Sequence, residues 1–268
     1  MIKSKITELK LPYPGEADRV VRVYVPTHEE GETFPVVYMT DGQNCFDMAE
    51  GLFGCWSTHK AVDESIKSTG QGAIIVGIHN DDPEHQDPMK RTCDLTPGSI
   101  GEILIPEEFQ DIGDPAGDVF DSFIINTVMP YIEEHFPVKT GRNNTAFCGS
   151  SMGGLMSFFT ALTHPDKYCA AGVFSPALIM FTPEVLGNWI QKKITDNMPY
   201  LYIYTGAGDE LENEICKATE ITYDILTECY PPELLNEVIL LENKHHESAW
   251  EPIFRDFLHT FLTRREEF

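Results

Sequence analysis

Thr145-Ala146-Phe147-Cys148-Gly149-Ser150-Ser151-Met152-Gly153-Gly154 is the stretch on which the fold reading turns. Its first residues read as a short buried strand, and an amphipathic helical pattern over 155–162 follows it. Between the two, Gly149-Ser150-Ser151-Met152-Gly153 fits G-x-S-x-G, a pattern that needs a strand, a sharp turn and a helix in that order. The turn lifts the central serine, Ser151, out of the sheet, and glycine at 149 and 153 leaves room for the crossing backbone. The helix start then supplies the Met152 N–H and a positive dipole end beside any oxygen that gathers charge at Ser151. Read alone, the string is also a plain glycine-rich helix start, so its surroundings must supply the remaining chemistry.

Working outward, further strand candidates lie at residues 20–25, 35–39, 73–78, 170–174, 200–204 and 237–241, with the elbow strand itself at 144–148. Helical patterns fall at 118–134, 213–229 and 248–262. Pro130 should kink or split the first of these. Buried strands alternating with helices predict one α/β domain over 1–268, a mostly parallel central sheet with helices on both faces. Segments 5–13 and 20–25, joined by a turn at Pro14-Gly15-Glu16, predict an antiparallel entry to that sheet. Residues 79–117, rich in proline and acids, read as a long loop of the functional or lid-like kind.

A nucleophilic serine needs a base, and the base needs an orienting acid. On this architecture the chain order is serine, acid, histidine. After Ser151 the clearest acid at a strand end is Asp209 or Glu210, in Gly206-Ala207-Gly208-Asp209-Glu210. Then come His245 and His246, just after the last strand candidate. The loop Thr40-Asp41-Gly42-Gln43-Asn44 follows a central strand candidate, and its Gly42 permits a tight turn aiming the Gln43 N–H at the site as a second oxyanion donor. Trp56 and Trp250 read as packing anchors that could also edge a pocket.

Composition removes several function classes. Lys and Arg number 19 against 43 Asp and Glu, a formal charge of −24, which repels nucleic acid and anionic lipid alike. No apolar run approaches a membrane span and no signal peptide is evident at the N-terminus, so the expected location is cytoplasmic. Seven scattered cysteines without a C-x-x-C pair fit a reducing compartment. His79, Asp81, Asp82, His85 and Asp87 have metal-ligand chemistry, but in an acidic loop they read first as solvated charge, and neither metal nor organic cofactor is expected. The partner is expected to be a small molecule or an oligosaccharide, with no nucleic acid or membrane, and self-association is left open.

Together these residues resemble the esterase family of α/β-hydrolases that includes esterase D, enterochelin esterases and family-1 carbohydrate esterases. The matching pieces are 36–43, Arg91-Thr92-Cys93-Asp94-Leu95-Thr96-Pro97, the elbow at 149–154, the Gly206–Asp209 loop and His245-His246-Glu247-Ser248-Ala249-Trp250. The resemblance implies an α/β-hydrolase fold and a serine carboxylic-ester hydrolase acting through an acyl-enzyme. It implies Ser151 as nucleophile, Asp209 as acid, His245 rather than His246 as base, and Gln43 and Met152 as the oxyanion hole. Arg91 and Trp56 are then expected near the substrate. The implied substrates are acetyl or hydroxycinnamoyl esters of sugars or related small esters. A siderophore trilactone, or acyl transfer on the same scaffold, are the alternatives, and a catalytically dead binding module is the rival of a different class.

Overall fold

The computed structural model describes residues 1–46, 54–80, 88–104 and 113–268. Eight strands form one sheet in the order β1-β2-β4-β3-β5-β6-β7-β8. They are β1 (Lys5–Leu11), β2 (Arg19–Val25), β3 (Val36–Met39), β4 (Ile74–Ile78), β5 (Thr145–Ser150), β6 (Ala170–Phe174), β7 (Tyr200–Gly206) and β8 (Leu235–Leu240). β1 and β2 pair antiparallel, β2 joins β4 antiparallel, and every pairing from β4 to β8 is parallel. The expected antiparallel entry and parallel centre are both present.

The central strands are buried throughout and send alternate side chains to two cores. Val36 and Tyr38 face one cluster with Phe120, Leu155 and Trp189; Val37 and Met39 face the other with Trp56, Phe254 and Phe257. The second cluster is covered by α1 (Thr58–Thr69) and α8 (Glu247–Arg264). The first lies under α3 (Gly117–Phe123), α4 (Met129–His135), α5 (Met152–Thr163), α6 (Pro183–Lys193) and α7 (Glu210–Thr227).

Pro130 splits its helix as its chemistry requires. A proline has no N–H to give the carbonyl four residues back. Between α3 and α4 the chain takes a π-helical turn over Ile124–Val128, with the Met129 N–H reaching Ile124 O.

The stretch 79–117 is not one long loop. Its described part contains α2 (Pro88–Asp94) and a 3-10 turn over Gly98–Ile100, while 81–87 and 105–112 lie outside the described residues. Charge fixes α2 in place of an apolar stripe. Asp94 is fully buried, 2.9 Å from Arg19 Nη1 and 2.5 Å from Lys90 Nζ, and Lys90 also reaches Glu16 at 2.6 Å. The buried carboxylate is therefore paired on both oxygens, which offsets part of its desolvation, and burial still raises it above the ordinary carboxylate range. None of the described helices is long and apolar enough to cross a membrane.

Candidate active site

The site lies at the carboxyl end of the parallel strands, where β3 sits between β4 and β5 and chain direction diverges. Ser151 follows β5 and precedes α5 with φ 59° and ψ −123°, a backbone state that L-residues rarely hold. Its N–H donates to Phe174 O and its carbonyl accepts from Ala177 N, each at 3.0 Å, so the loop after β6 grips the elbow from both sides. The elbow glycines leave no room for a side chain. A Cβ on Gly149 would lie 2.4 Å from Gly153 O and from Thr40 Oγ1, and one on Gly153 would lie 2.1 Å from Thr40 Oγ1. Ser150, the neighbouring hydroxyl, is buried in β5.

His245 lies after β8, just ahead of α8, and its Nδ1 is 2.5 Å from Glu212 Oε2. A carboxylate accepts, so a neutral imidazole in this contact carries its proton on Nδ1 and keeps a lone pair on Nε2. Glu212 is completely buried, and its other oxygen accepts from Ser175 Oγ at 2.5 Å and from Gly206 N at 2.7 Å. Trp250 Nε1 donates in turn to Ser175 Oγ at 2.9 Å, and the Trp250 ring meets the His245 ring edge-on at 4.9 Å. Ser175 thus carries the acid while its neighbours Phe174 and Ala177 carry the serine.

Asp209 does not touch the imidazole. It caps α7, with Oδ1 accepting from Glu212 N and Oδ2 from the backbone N–H of His245, each at 2.9 Å. The Glu212 N–H first, and then that of His245, hold its carboxyl below the usual carboxylate range. Asp209, the expected orienting acid, thus makes its contacts with backbone: it shapes the loop, and Glu212, one helical turn on, meets the ring. Glu210 opens α7, and its carboxyl takes no part in these contacts. His246 points elsewhere, exposed, with Nδ1 accepting from Ser248 N at 3.1 Å as the cap of α8.

After β3, Gly42–Asn44 forms a 3-10 turn in which Asn44 N and Cys45 N close on Asp41 O and Gly42 O. Gln43 sits in this turn with its side chain directed inward, Nε2 donating to Asn80 Oδ1 at 2.9 Å. Asp41 holds a left-handed backbone, φ 52° and ψ 47°, which costs on the order of 1 kcal/mol for a residue of this type. Gly42 allows the turn to press on β4, since a Cβ there would lie 2.4 Å from Gly77 C. Asn44 Nδ2 donates to the buried Glu247 at 3.3 Å and so ties this turn to the histidine loop. Burial raises the Glu247 carboxyl above its ordinary value.

The family model described as "Putative esterase" matches residues 15–222, which span the elbow, the Gly42–Asn44 turn and Glu212. The chain belongs to this esterase family. Among curated relatives, the siderophore triacetylfusarinine C esterase of Aspergillus fumigatus is 28% identical over 202 residues, covering 71% of the chain. The endo-1,4-beta-xylanase/feruloyl esterase of Xylanibacter ruminicola is 27% identical over 103 residues, 38% of the chain. The chain spans 64% and 13% of these relatives' own lengths. Two solved structures share the fold: siderophore hydrolase EstB from Aspergillus nidulans and a CE1 ferulic acid esterase from Anaeromyces mucronatus. EstB aligns with a TM-score of 0.71 at 19% identity over 98% of the chain and 96% of its own. The ferulic acid esterase aligns at 0.67 and 22%, over 97% and 91%.

In this esterase-family chain the two residues expected near the substrate are both engaged by protein groups. Trp56 is 3% exposed and stacks on Phe174, ring centroids 5.5 Å apart, so it packs beneath the site. Arg91 is paired with Asp41, its Nε 2.6 Å from Oδ1 and Nη2 2.8 Å from Oδ2. His79 is buried under the turn, and neither ring nitrogen has a partner among the described residues. Burial, and then Arg22, push it down to about 4. Asp81, Asp82, His85 and Asp87 lie outside the described residues, and no group that could hold a metal ion occurs among the described ones.

Proposed function

We propose that the protein is a carboxylic-ester hydrolase with Ser151 as nucleophile, His245 as base and Glu212 as the orienting acid. The observation that carries this reading is the 2.5 Å contact between the buried Glu212 carboxylate and His245 Nδ1, at the carboxyl end of the sheet, which also presents a serine in an elbow conformation. With Nδ1 protonated, His245 Nε2 takes the Ser151 proton as the hydroxyl attacks the ester carbonyl. Glu212 then faces an imidazolium, and its charge stabilises that state. The developing oxyanion is received by the Gln43 and Met152 N–H groups, the latter at the free start of α5. The imidazolium returns its proton to the departing alcohol, and water activated by the same ring releases the acid.

The substrates proposed are acetyl or hydroxycinnamoyl esters of sugars or related small esters. A siderophore ester is the second reading, favoured by the relative from Aspergillus fumigatus, whose match covers the larger part of this chain. A fluorophosphonate probe should label Ser151 stoichiometrically, and Ser151→Ala should lose on the order of 10⁴-fold or more in kcat. A parallel panel of acetylated sugars, methyl ferulate and a siderophore trilactone, read for free acid and for acyl transferred to a sugar, separates the readings. Label on Ser150, or activity retained in Ser151→Ala, overturns the mechanism.

A further inference from the structure

Arg91 has the wrong surroundings for a substrate anchor. Both oxygens of Asp41 are taken up by its guanidinium in a two-pronged pair, so the pair is neutral and offers an incoming anion little net attraction. Asp41 Oδ1 accepts in addition from Asn80 Nδ2 at 3.1 Å and Gln43 Nε2 at 3.4 Å. Arg91 Nη2 also reaches Ser150 O at 3.4 Å, the residue immediately before the nucleophile.

The two oxyanion donors of the proposed mechanism stand on separate pieces of chain. Gln43 belongs to the turn after β3, and Met152 to the elbow after β5. Asp41 stands where these pieces meet. Its Oδ2 would lie 3.1 Å from a Cβ on Gly153, and its neighbour Thr40 fills the space beside Gly149 and Gly153. The left-handed backbone of Asp41 sets the direction of the Gly42–Gln43 peptide, and its carboxylate is the handle by which that backbone is held. Arg91 can act as a fixed clamp because α2 is anchored behind it. Lys90 and Asp94 tie that helix to Glu16 and Arg19 on the β1–β2 hairpin.

We propose that Arg91 is a positioning residue, which through Asp41 and Ser150 fixes the turn carrying Gln43 N–H against the elbow carrying Met152 N–H. The proposal rests on the oxyanion assignment above and adds the part that holds it in register. Arg91 touches no reacting atom. Its loss shifts one donor by a fraction of an ångström, which lowers transition-state stabilisation and leaves ground-state binding in place.

The test compares Arg91→Gln, Arg91→Lys, Arg91→Ala and Asp41→Asn with the unaltered enzyme, on a neutral aryl acetate and on the matching anionic hemisuccinate ester. Asn keeps the tolerance for the left-handed backbone and loses the charged pair. Arg91→Gln and Asp41→Asn should each lower kcat about 10²-fold on both esters, with KM within about threefold. The double variant should fall no further than either single one, because both remove the same contact. Millimolar guanidinium should restore at least about tenfold to Arg91→Ala and nothing to Asp41→Asn, and Arg91→Lys should regain only part. Fluorophosphonate should label Ser151 slowly in Arg91→Gln yet reach one label per chain. A KM rise confined to the hemisuccinate, with kcat kept, overturns the proposal in favour of a substrate anchor. Unchanged kcat in Asp41→Asn overturns it outright, even where Arg91 variants fold poorly. If the unaltered enzyme takes no label at Ser151, the catalytic assignment itself has failed, a separate result.

Discussion

Glu212 Oε2 lies 2.5 Å from His245 Nδ1, while Asp209 reaches only the backbone N–H of that histidine. The two carboxylates are three residues apart on one helix start, and their roles separate cleanly. Glu212→Gln keeps the shape of the side chain but removes the charge and can favour the wrong ring tautomer. It should lower kcat by roughly 10³- to 10⁴-fold. Asp209→Asn retains a capping oxygen and should cost about tenfold or less in kcat and about 1 kcal/mol in stability. Steady-state kinetics and urea unfolding on the pair decide; a larger kcat loss in Asp209→Asn reverses the assignment.

The adjacent histidines provide a second comparison. His246 caps α8 through Ser248 N and is exposed, so His246→Ala should cost about 1 kcal/mol or less and keep most of the activity. His245→Ala should abolish the acylation burst. A burst lost in the first variant and kept in the second would refute the placement of the base.

Gly153→Ala would drive a methyl group to 2.1 Å from Thr40 Oγ1. The expected result is a loss of about 1–3 kcal/mol in stability together with a clear fall in kcat. Adding Thr40→Ala removes the clashing oxygen and should recover part of both. Thermal melting and kcat of the single and double variants measure this, and a double variant worse than Gly153→Ala contradicts it.

His79 predicts an acid-sensitive fold. Its folded value, about 4, lies below the unfolded value near 6.5, so between those limits the unfolded chain binds more protons. Stability is therefore full above about pH 6.5 and falls as the pH drops toward 4, by roughly 3 kcal/mol if the full shift is expressed. Arg22 and Arg19 deepen the effect, and Asp41 opposes it. His79→Leu should lose less stability than the unaltered protein between pH 7 and about pH 4.5. Parallel losses in urea titrations would remove His79 as the cause.

Much of this was legible in the chain. Residues 170–174 read as a strand and are one, because a five-residue apolar run between turns has few other uses. The elbow was equally plain, since its glycines answer to contacts under 3 Å. Glu212 was missed because a strand-end acid drew the reading to Asp209, which the helix had recruited as a cap. A signal did exist. Glu212 begins the stripe Glu212, Ile215, Cys216, Thr219, Thr222, Leu226, which is the buried face of α7, and a glutamate on such a face needs a partner. α2 had no apolar periodicity to announce it, for its anchors are Arg19 and Glu16, more than 70 positions away. Arg91 was found as a residue, but its partner Asp41 could be assigned only once β3 and α2 were placed together.

The edge-on contact between Trp250 and His245 has an optical consequence. The indole sits 4.9 Å from the ring proposed as the base, and it shares Ser175 with the carboxylate that faces that ring. Imidazolium quenches indole emission where the neutral ring does not. Trp250 is thus placed to report on the charge of His245, in the core opposite Trp189 and with its ring centroid 6.0 Å from that of Trp56. In the proposed mechanism, the imidazolium that forms as Ser151 attacks should appear in stopped flow as a brief fall in Trp250 emission, ending when the proton passes to the departing alcohol.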